Sequence, residues 1–408
     1  MRRGEGQRVG NVGAMDLDEA KRRLCDEVDR RADLLVSVSH DLHAHPEEQF
    51  GEHHAHDALA EVLEAQGLAT ERHAYGQPTG FAARAGDGGP TVAVMLEYDA
   101  LPGIGHACGH NVIAAAGLGA GLAAAALATE LGGRVLVLGT PAEEGGGGKV
   151  AMTEEGALDD VDVAMMVHPA DHELRRMNTI AIQRLKVSYH GEAAHAAAYP
   201  WRGRNALDAA VLGYTAIAAL RQHIRPDERL HGVFTDGGDK PNIVPAHASM
   251  LWYVRSGDLE RLEPLKARVL RALEAGASAT GCEMTHEWLV PAYADLRSNH
   301  PLEDLYVANA AALGRTVLEP DEHAQVYGST DMGNVSHLVP SIHPMVAVAP
   351  AGVSIHTPEF AVHAGGPPGD AAVLDGAKAM AMTIADLWLR PDTLAATRRA
   401  FAADPVPG

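Results

Sequence analysis

Chemically reactive side chains follow three apolar runs of the sequence, at residues 91–96, 134–138 and 161–167. A cysteine and a histidine lie in the glycine-flanked turn GHACGHN beyond the first run. Two adjacent glutamates precede four glycines beyond the second run, and a histidine follows the third. These side chains are Cys108, His110, Glu143, Glu144 and His168.

A thiolate, imidazoles and carboxylates together are ligands for borderline metals such as Zn²⁺, Mn²⁺ or Co²⁺, whereas Ca²⁺ and Mg²⁺ sites are built from oxygen. These five side chains are more ligands than a single metal ion requires. Two adjacent glutamates divide naturally into a metal ligand and a general base, which takes a proton from an activated water and delivers it to a leaving amine. These residue types therefore predict a metal-dependent hydrolase.

The three apolar runs are typical of buried parallel strands, and helix-like stretches separate them. We therefore predict an α/β fold with helices on both faces of a sheet. In such sheets ligands bind at the carboxyl ends of the strands. The reactive side chains are expected to meet at this one edge.

The length of 408 residues exceeds what one hydrophobic core serves, so we predict two domains. Residues 16–67 carry two helical patterns. From about residue 183 the pattern becomes strand, helix, strand, helix, strand, which predicts an α+β insert over residues 183–293. The first domain then consists of residues 16–182 and 294–408, and residues 1–15 are expected to form a loose tail.

Composition excludes several classes of partner. The formal charge of -21 repels nucleic acid and anionic membranes, which favours a small-molecule partner.

The cysteines, Cys25, Cys108 and Cys282, are spaced for neither a disulfide framework nor a zinc ribbon. No secretory signal is recognisable, so we expect a cytoplasmic protein. The uncharged run 112–128 is short for a bilayer span and predicts a buried helix.

Two segments resemble nucleotide-binding motifs, but each lacks residues that its motif requires. GIGHAC at residues 103–108 has Cys108 where a dinucleotide fingerprint requires its third glycine. Gly148-Lys149 resembles the end of a phosphate-binding loop, but Glu143 replaces the first glycine and Val150 replaces the Mg²⁺-binding hydroxyl residue. Carboxylates at this position would also repel phosphate.

Eight motifs, in the same order, resemble those of metallopeptidase family 20. They are HAHPEE, EYDALPG, GHACGHN, TPAEEGGGGK, the strand ending at His168, GEAAHAA with a downstream RNA, KPNIVPAHA and GSTDMGN. The resemblance spans residues 20–390 and is closest to the branch of hippurate hydrolases, aminobenzoyl-glutamate hydrolases and β-alanyl-dipeptidase-like proteins.

This resemblance implies a zinc-exopeptidase-like catalytic domain, a mixed sheet flanked by helices, with an inserted α+β dimerisation or lid domain. It implies two divalent metal ions, zinc or manganese with cobalt as a further option. The implied substrate is a small amide with a free carboxylate: an N-acyl amino acid, a dipeptide or an aminobenzoyl-glutamate-like compound. A homodimer formed through the lid domain is also implied.

The resemblance assigns roles to individual residues. Glu143 is implied to be the general base, and His195 in AAHAA to reach the active site of the partner protomer and stabilise the oxyanion. His343 in SIHPMV competes with His356 in SIHTPEF for the last metal position, and we favour His356. The implied metal ligands are Cys108, His110, Glu144, His168 and His356, and the implied substrate-binding residues are Asn242, Arg255, Gly328 and Ser329.

The sequence also departs from the family pattern. Glu97 stands where other branches have a histidine ligand, which leaves its role open, and Asp99 is then expected to orient a ligand. Asn111 replaces an aspartate that many branch members carry, which favours the dipeptidase-like and aminobenzoyl-glutamate side. Two rival functions remain: a hydrolase with Cys108 as nucleophile and His110 as base, which lacks an obvious orienting third group, and a non-catalytic binding protein.

Overall fold

The computed structural model describes residues 15–320 and 328–403. The predicted N-terminal tail lies outside the described residues, apart from Met15. The helices are α1 (Leu17–Arg30), α2 (Ala32–Ala44), α3 (His53–Ala65), α4 (His110–Leu131), α5 (Gly148–Glu154), α6 (Ala206–Leu220), α7 (Leu259–Thr280), α8 (His300–Ala312), α9 (Met332–Ser336), α10 (Pro358–Ala364), α11 (Pro367–Leu389) and α12 (Pro391–Ala403). The strands are β1 (Ala69–Arg72), β2 (Phe81–Ala85), β3 (Thr91–Leu96), β4 (Arg134–Gly139), β5 (Val163–Met165), β6 (His168–Ala170), β7 (Ala181–His190), β8 (Arg229–Asp236), β9 (His247–Ser256), β10 (Glu283–Tyr293), β11 (Ser341–Ile342) and β12 (Met345–Ala347).

A mixed six-stranded sheet with the order β1-β2-β4-β3-β5-β11 forms the larger layer. β3 is parallel to both β4 and β5, whereas β2 is antiparallel to β4. Every residue of β3 is buried, because helices cover both faces of the sheet centre, and its continuous apolar sequence is what such a strand requires. The predicted α/β class with a mixed sheet is confirmed.

Helix α4 connects β3 to β4 and packs on the sheet as a core helix. It is long and apolar enough by composition to cross a membrane, but most of its residues are buried within the fold. Its glycines permit this close packing: a Cβ on Gly121 would lie 2.3 Å from Cγ2 of Val137 in β4. The predicted buried helix is therefore present.

A second, antiparallel sheet with the order β10-β7-β9-β8 carries α6 and α7 on one face. Alternate residues of β7 and β9 are buried, which is the pattern of strands with one covered face. The core of this sheet, which includes Trp252 and Tyr189, is separate from the core of the larger layer. The two sheets thus have separate cores, and the lid domain at residues 183–293 stays a prediction.

The structure corrects several element predictions. Residues 16–67 contain three helices rather than two, because the chain turns at Arg31 between α1 and α2. The predicted insert lacked β8, an edge strand with half of its residues exposed, a single buried residue and no apolar run in its sequence. The third apolar run is also divided: β5 ends at Met165, and His168 begins β6, which pairs with β12 in a small separate sheet.

Candidate metal centre

Asp99, beyond the end of β3, positions the first imidazole of the site. Its Oδ1 lies 3.0 Å from Nδ1 of His110, the first residue of α4. Gly109 precedes the helix with φ +79°, and a Cβ there would lie 2.8 Å from Pro169, so the turn requires glycine. Because Asp99 occupies Nδ1, the Nε2 of His110 is the nitrogen left to bind a metal.

The same carboxylate also holds the glutamate pair beyond β4. Asp99 Oδ2 accepts a hydrogen bond of 3.0 Å from the backbone N–H of Glu144. Ala142, immediately before the pair, has φ +59°, a conformation that is uncommon for a residue with a Cβ and recurs at functional sites. Asp99 therefore fixes the loops beyond two neighbouring strands relative to each other.

His168, the first residue of β6, supplies the second imidazole of the site. Its Nδ1 donates to the carbonyl of Pro169 over 2.8 Å, which leaves Nε2 facing Cys108 Sγ at 3.5 Å. His343 lies behind this ring, with a centroid separation of 5.2 Å, and is fully buried. Burial, together with His168, lowers the pKa of His343 to about 3, so this ring is neutral.

His356 approaches the centre from a residue with φ +65°. Its backbone N–H bonds the carbonyl of Ala107 over 2.8 Å, and its Nε2 lies 3.5 Å from Glu144 Oε1. The structure groups His356, and not His343, with Cys108 and Glu144 among the described residues.

The five predicted ligands form two triads that share one sulfur. In each triad the potential ligand atoms lie within 4.8 Å of one another. His110 Nε2 and Glu144 Oε1 are buried and have no hydrogen-bond partner among the described residues, a state that is costly unless a cation satisfies them. The donor set thus fits a pair of divalent cations. The triads are Cys108, His110 and His168, and Cys108, Glu144 and His356.

Glu143 lies directly beside this cluster, with a potential ligand atom within 4.8 Å of those of His110 and Glu144. Burial, with the nearby carboxylates of Glu97 and Glu144, raises the pKa of Glu143 well above its ordinary value. Burial also raises the pKa of the Cys108 thiol and lowers that of His168 to about 4. Without cations burial therefore disfavours the Cys108 thiolate, whereas His168 is already in the neutral form that binds a metal.

Sequence reasoning missed a buried ion cluster below the site. The ammonium of Lys149 donates to Glu97 Oε1 over 2.5 Å and to Asp331 Oδ1 over 2.7 Å, and all three side chains are buried. Burial alone would raise the pKa of Glu97, but Lys149 and the imidazole of His110 lower it to about 2. A lysine within the glycine loop after an apolar strand was the available signal, and it was considered only as a phosphate ligand.

Two side chains of the second sheet hold the glutamate loop, and these too were missed. The Tyr293 hydroxyl donates to the carbonyl of Glu143 over 2.7 Å. Arg184 of β7 donates to the carbonyls of Glu144 and Gly145 over 3.2 and 3.1 Å. Three consecutive carbonyls of the loop are therefore bound by β7 and β10, the strands through which the chain enters and leaves the second sheet.

Three of the four residues predicted to bind the substrate carboxylate lie together: Arg255, Ser329 and Gly328. Arg255 Nη1 donates to Ser329 Oγ over 3.1 Å, and Arg255 Nε donates to His231 Nε2 over 3.2 Å. Burial, together with Arg255, lowers the pKa of His231, so the neutral ring can accept this bond. Gly328 adjoins this group, because its carbonyl accepts from the N–H of Ile180 over 3.1 Å.

His195 and Asn242 lie together on an exposed part of the second sheet's loops. The Asn242 carbonyl accepts from the N–H of Ala196 over 3.0 Å, and the His195 Nδ1 accepts from the backbone of Ala197 and Ala198. Within the described residues, neither side chain makes a polar contact with the two triads. The structure of one chain therefore does not bring the predicted oxyanion histidine to the metal ligands.

Residues 93–386 match the family model described as "Peptidase family M20/M25/M40". The chain belongs to this family. A mouse protein named Xaa-Arg dipeptidase is 38% identical over 96% of this chain and 94% of its own length. A component of the p-aminobenzoyl-glutamate hydrolase of Escherichia coli K12 is 33% identical over 65% of this chain and 59% of its own length.

The M20 fold is confirmed by solved structures. A Bacillus subtilis protein described as a dinuclear metal-binding peptidase of the M20 family superposes with a TM-score of 0.67 at 20% identity, covering 88% of this chain and 99% of its own. Membership of a family of hydrolases, and relatives named as a dipeptidase and a hydrolase, establish that this M20 protein is an enzyme.

The structure does contain an orienting group for the cysteine-hydrolase rival, which the sequence did not reveal. Asp99 binds His110 Nδ1, but His110 Nε2 makes no hydrogen bond to the Cys108 thiol. What opposes a nucleophilic cysteine in this M20 enzyme is burial: Cys108 is 5% exposed, and the raised pKa of its thiol disfavours the thiolate unless a cation is present.

Proposed function

We propose that this enzyme is a dinuclear metal-dependent amidohydrolase that cleaves dipeptides or related N-acyl amino acids with a free carboxylate. The observation that carries the proposal is the convergence of two triads on one sulfur beside a buried glutamate. Cys108, His110 and His168 would hold one cation, and Glu144 and His356 with the same cysteine would hold the other. Zinc or manganese suits these donors, with cobalt as a further option.

Two bound cations supply Lewis acidity for the scissile carbonyl and activation of a water. Glu143 takes the proton of the attacking water on a carboxylate oxygen and then delivers it to the leaving amine nitrogen. A carboxyl group whose pKa is raised by burial suits both steps, because its carboxylate is a stronger base toward the water and its protonated form can then donate to the amine. Asp99 keeps His110 and the Glu144 backbone in place during both steps.

The substrate carboxylate is proposed to bind at Arg255 and Ser329, with Gly328 alongside. A guanidinium offers the forked donors that a carboxylate prefers, and Ser329 holds the Arg255 side chain. Asn242 and His195 are proposed to complete the site from the second protomer of a homodimer formed through the lid domain. Their exposure in a single chain is consistent with such a role.

Dipeptides are the first substrates to test, because the mouse relative is named for cleaving Xaa-Arg dipeptides. Aminobenzoyl-glutamate is the second, from the bacterial relative. We also propose a cytoplasmic location, in which three free cysteines are chemically stable.

The proposal is tested by incubating Zn²⁺- or Mn²⁺-loaded enzyme with a panel of dipeptides, including Xaa-Arg and Xaa-Lys members, acyl amino acids and aminobenzoyl-glutamate. Product is detected by mass spectrometry. The Glu143→Gln variant should retain both metals but lose turnover by about three orders of magnitude or more, whereas Glu154→Gln, an exposed control, should retain it. Turnover by Glu143→Gln at the wild-type rate would refute the proposed base.

A further inference from the structure

A second cluster of metal-ligating side chains lies outside the two triads, where α2 ends and α3 begins. His54 Nε2 is 2.7 Å from Asp41 Oδ2, and His45 Nδ1 is 3.2 Å from Asp41 Oδ1. The rings of His45 and His54 have centroids 4.6 Å apart. We propose that Asp41, His45 and His54 form an accessory binding site for a divalent transition-metal ion such as Zn²⁺.

The spacing of the three side chains suits such an ion. Zn–ligand bonds of about 2.0–2.1 Å in a tetrahedron place ligand atoms roughly 3.3 Å apart. The two measured nitrogen–oxygen distances lie at or below that value, and one ligand atom from each residue lies within 4.8 Å of the others. Two imidazoles and one carboxylate also favour a transition metal over Ca²⁺ or Mg²⁺.

The side chains are accessible, with exposed fractions of 39% for Asp41, 57% for His45 and 43% for His54. Asp41 now contacts both rings: its carboxylate bonds His54 Nε2, and its backbone carbonyl, 2.9 Å from His45 Nδ1, shares that nitrogen with the carboxylate. A metal ion would displace an imidazole proton from each contact. Three protein ligands on the surface leave the remaining coordination positions to water. The cluster shares no residue with the triads, so the proposal does not rest on the proposed function.

The position of the cluster gives it a consequence for the fold. His45 and His54 stand at the two ends of the segment 45–54, and Glu47 within it accepts from the N–H groups of His54 and Ala55. The Glu47 carbonyl bonds the N–H of Ala100, next to Asp99, over 2.7 Å. Glu52 Oε1 accepts from the N–H of Ala142, next to Glu143, over 2.8 Å. A metal ion would therefore clamp a segment that supports both loops of the candidate site.

The test is a count of bound Zn²⁺ on the full chain. Chelator-treated protein is equilibrated by dialysis against Zn²⁺, and the metal content is measured by elemental analysis. Wild type should bind one equivalent more than His45→Asn and His54→Gln. His53→Gln, which changes an exposed neighbouring histidine of the same helix, should match wild type. Because the triads remain in both proteins, Zn²⁺ should raise the melting temperature of wild type by more than that of His54→Gln.

Equal metal content in wild type, His45→Asn and His54→Gln would overturn the proposal, whatever the occupancy of the triads. Crystals of wild type equilibrated with Zn²⁺ provide a measurement that needs no variant. An anomalous difference peak between Asp41, His45 and His54 is expected, and the absence of a peak there would also overturn it.

Discussion

The hydroxyl of Tyr293, the last residue of β10, donates a 2.7 Å hydrogen bond to the backbone carbonyl of Glu143. A side chain from the second sheet therefore helps set the position of the proposed base. Gly147 makes room for this approach: it has φ +70°, and a Cβ there would lie 2.2 Å from Pro291. Arg184 binds the next two carbonyls, so the second sheet holds the loop at three points.

Replacing Tyr293 by Phe should lower kcat about five- to tenfold, because the loss of one buried hydrogen bond of about 1 kcal/mol loosens the backbone that carries Glu143. Metal content should remain unchanged. Tyr189→Phe is the matched control, since its hydroxyl donates to the Leu273 carbonyl inside the second core. Equal kcat losses in the two variants would indicate a general packing effect rather than positioning of Glu143.

Lys149→Met should destabilise the protein by about 3–5 kcal/mol, because two buried carboxylates lose the ammonium group that binds both of them. Urea unfolding of the metal-free protein measures this. The triple variant Lys149→Met, Glu97→Gln, Asp331→Asn should recover much of the lost free energy of unfolding, because it removes both unpaired carboxylate charges. Failure of the triple variant to exceed Lys149→Met in stability would contradict this account of the cluster.

Chelation distinguishes the metal mechanism from a cysteine nucleophile. Removal of metal should abolish activity, and added Zn²⁺ or Mn²⁺ should restore it. Cys108→Ser should lower the metal content, whereas Cys25→Ser, a change in α1, should not. Full activity of the chelated, metal-free protein, with loss on alkylation of Cys108, would instead establish the cysteine mechanism.

Arg255→Met should raise KM for substrates with a free carboxylate by about 10- to 150-fold, the equivalent of a charge-assisted hydrogen bond of 1.5–3 kcal/mol. The matching substrate with an amidated C-terminus should bind poorly to wild type and lose little more with the variant. A parallel loss with both substrates would show that Arg255 supports the site without contacting the carboxylate.

His56 should make stability depend on pH. Burial, with the charge of His73, lowers the pKa of His56 below its ordinary value of 6.5. Below about pH 6.5 the unfolded chain therefore binds a proton that the folded chain does not, and the free energy of unfolding falls as the pH falls. His56→Leu should make urea-unfolding stability less steep between pH 7.5 and 5.5. His53→Leu, at an exposed position of α3, should leave the slope unchanged.

The sequence predicted those parts of the site that local patterns specify. Uninterrupted apolar runs mark buried strands, so Glu143, Glu144 and the turn of Cys108 were expected to meet, and the observed clusters bring them together. The partners of Lys149 lie 52 and 182 positions away along the chain, and no periodicity signals such pairs. Tyr293 lies 150 positions from the carbonyl that it binds. β8 was missed because an exposed edge strand buries too little surface to impose an apolar pattern.

The sulfur of Cys108 belongs to both triads. Oxidation of that single atom to a sulfenic or sulfinic acid would withdraw a donor from two cation positions in one event. Both cation positions would then be weakened together, and only the reversible first product could be returned to the thiol by a reductant. Burial of the sulfur, which is 5% exposed, protects both cation positions against this oxidation.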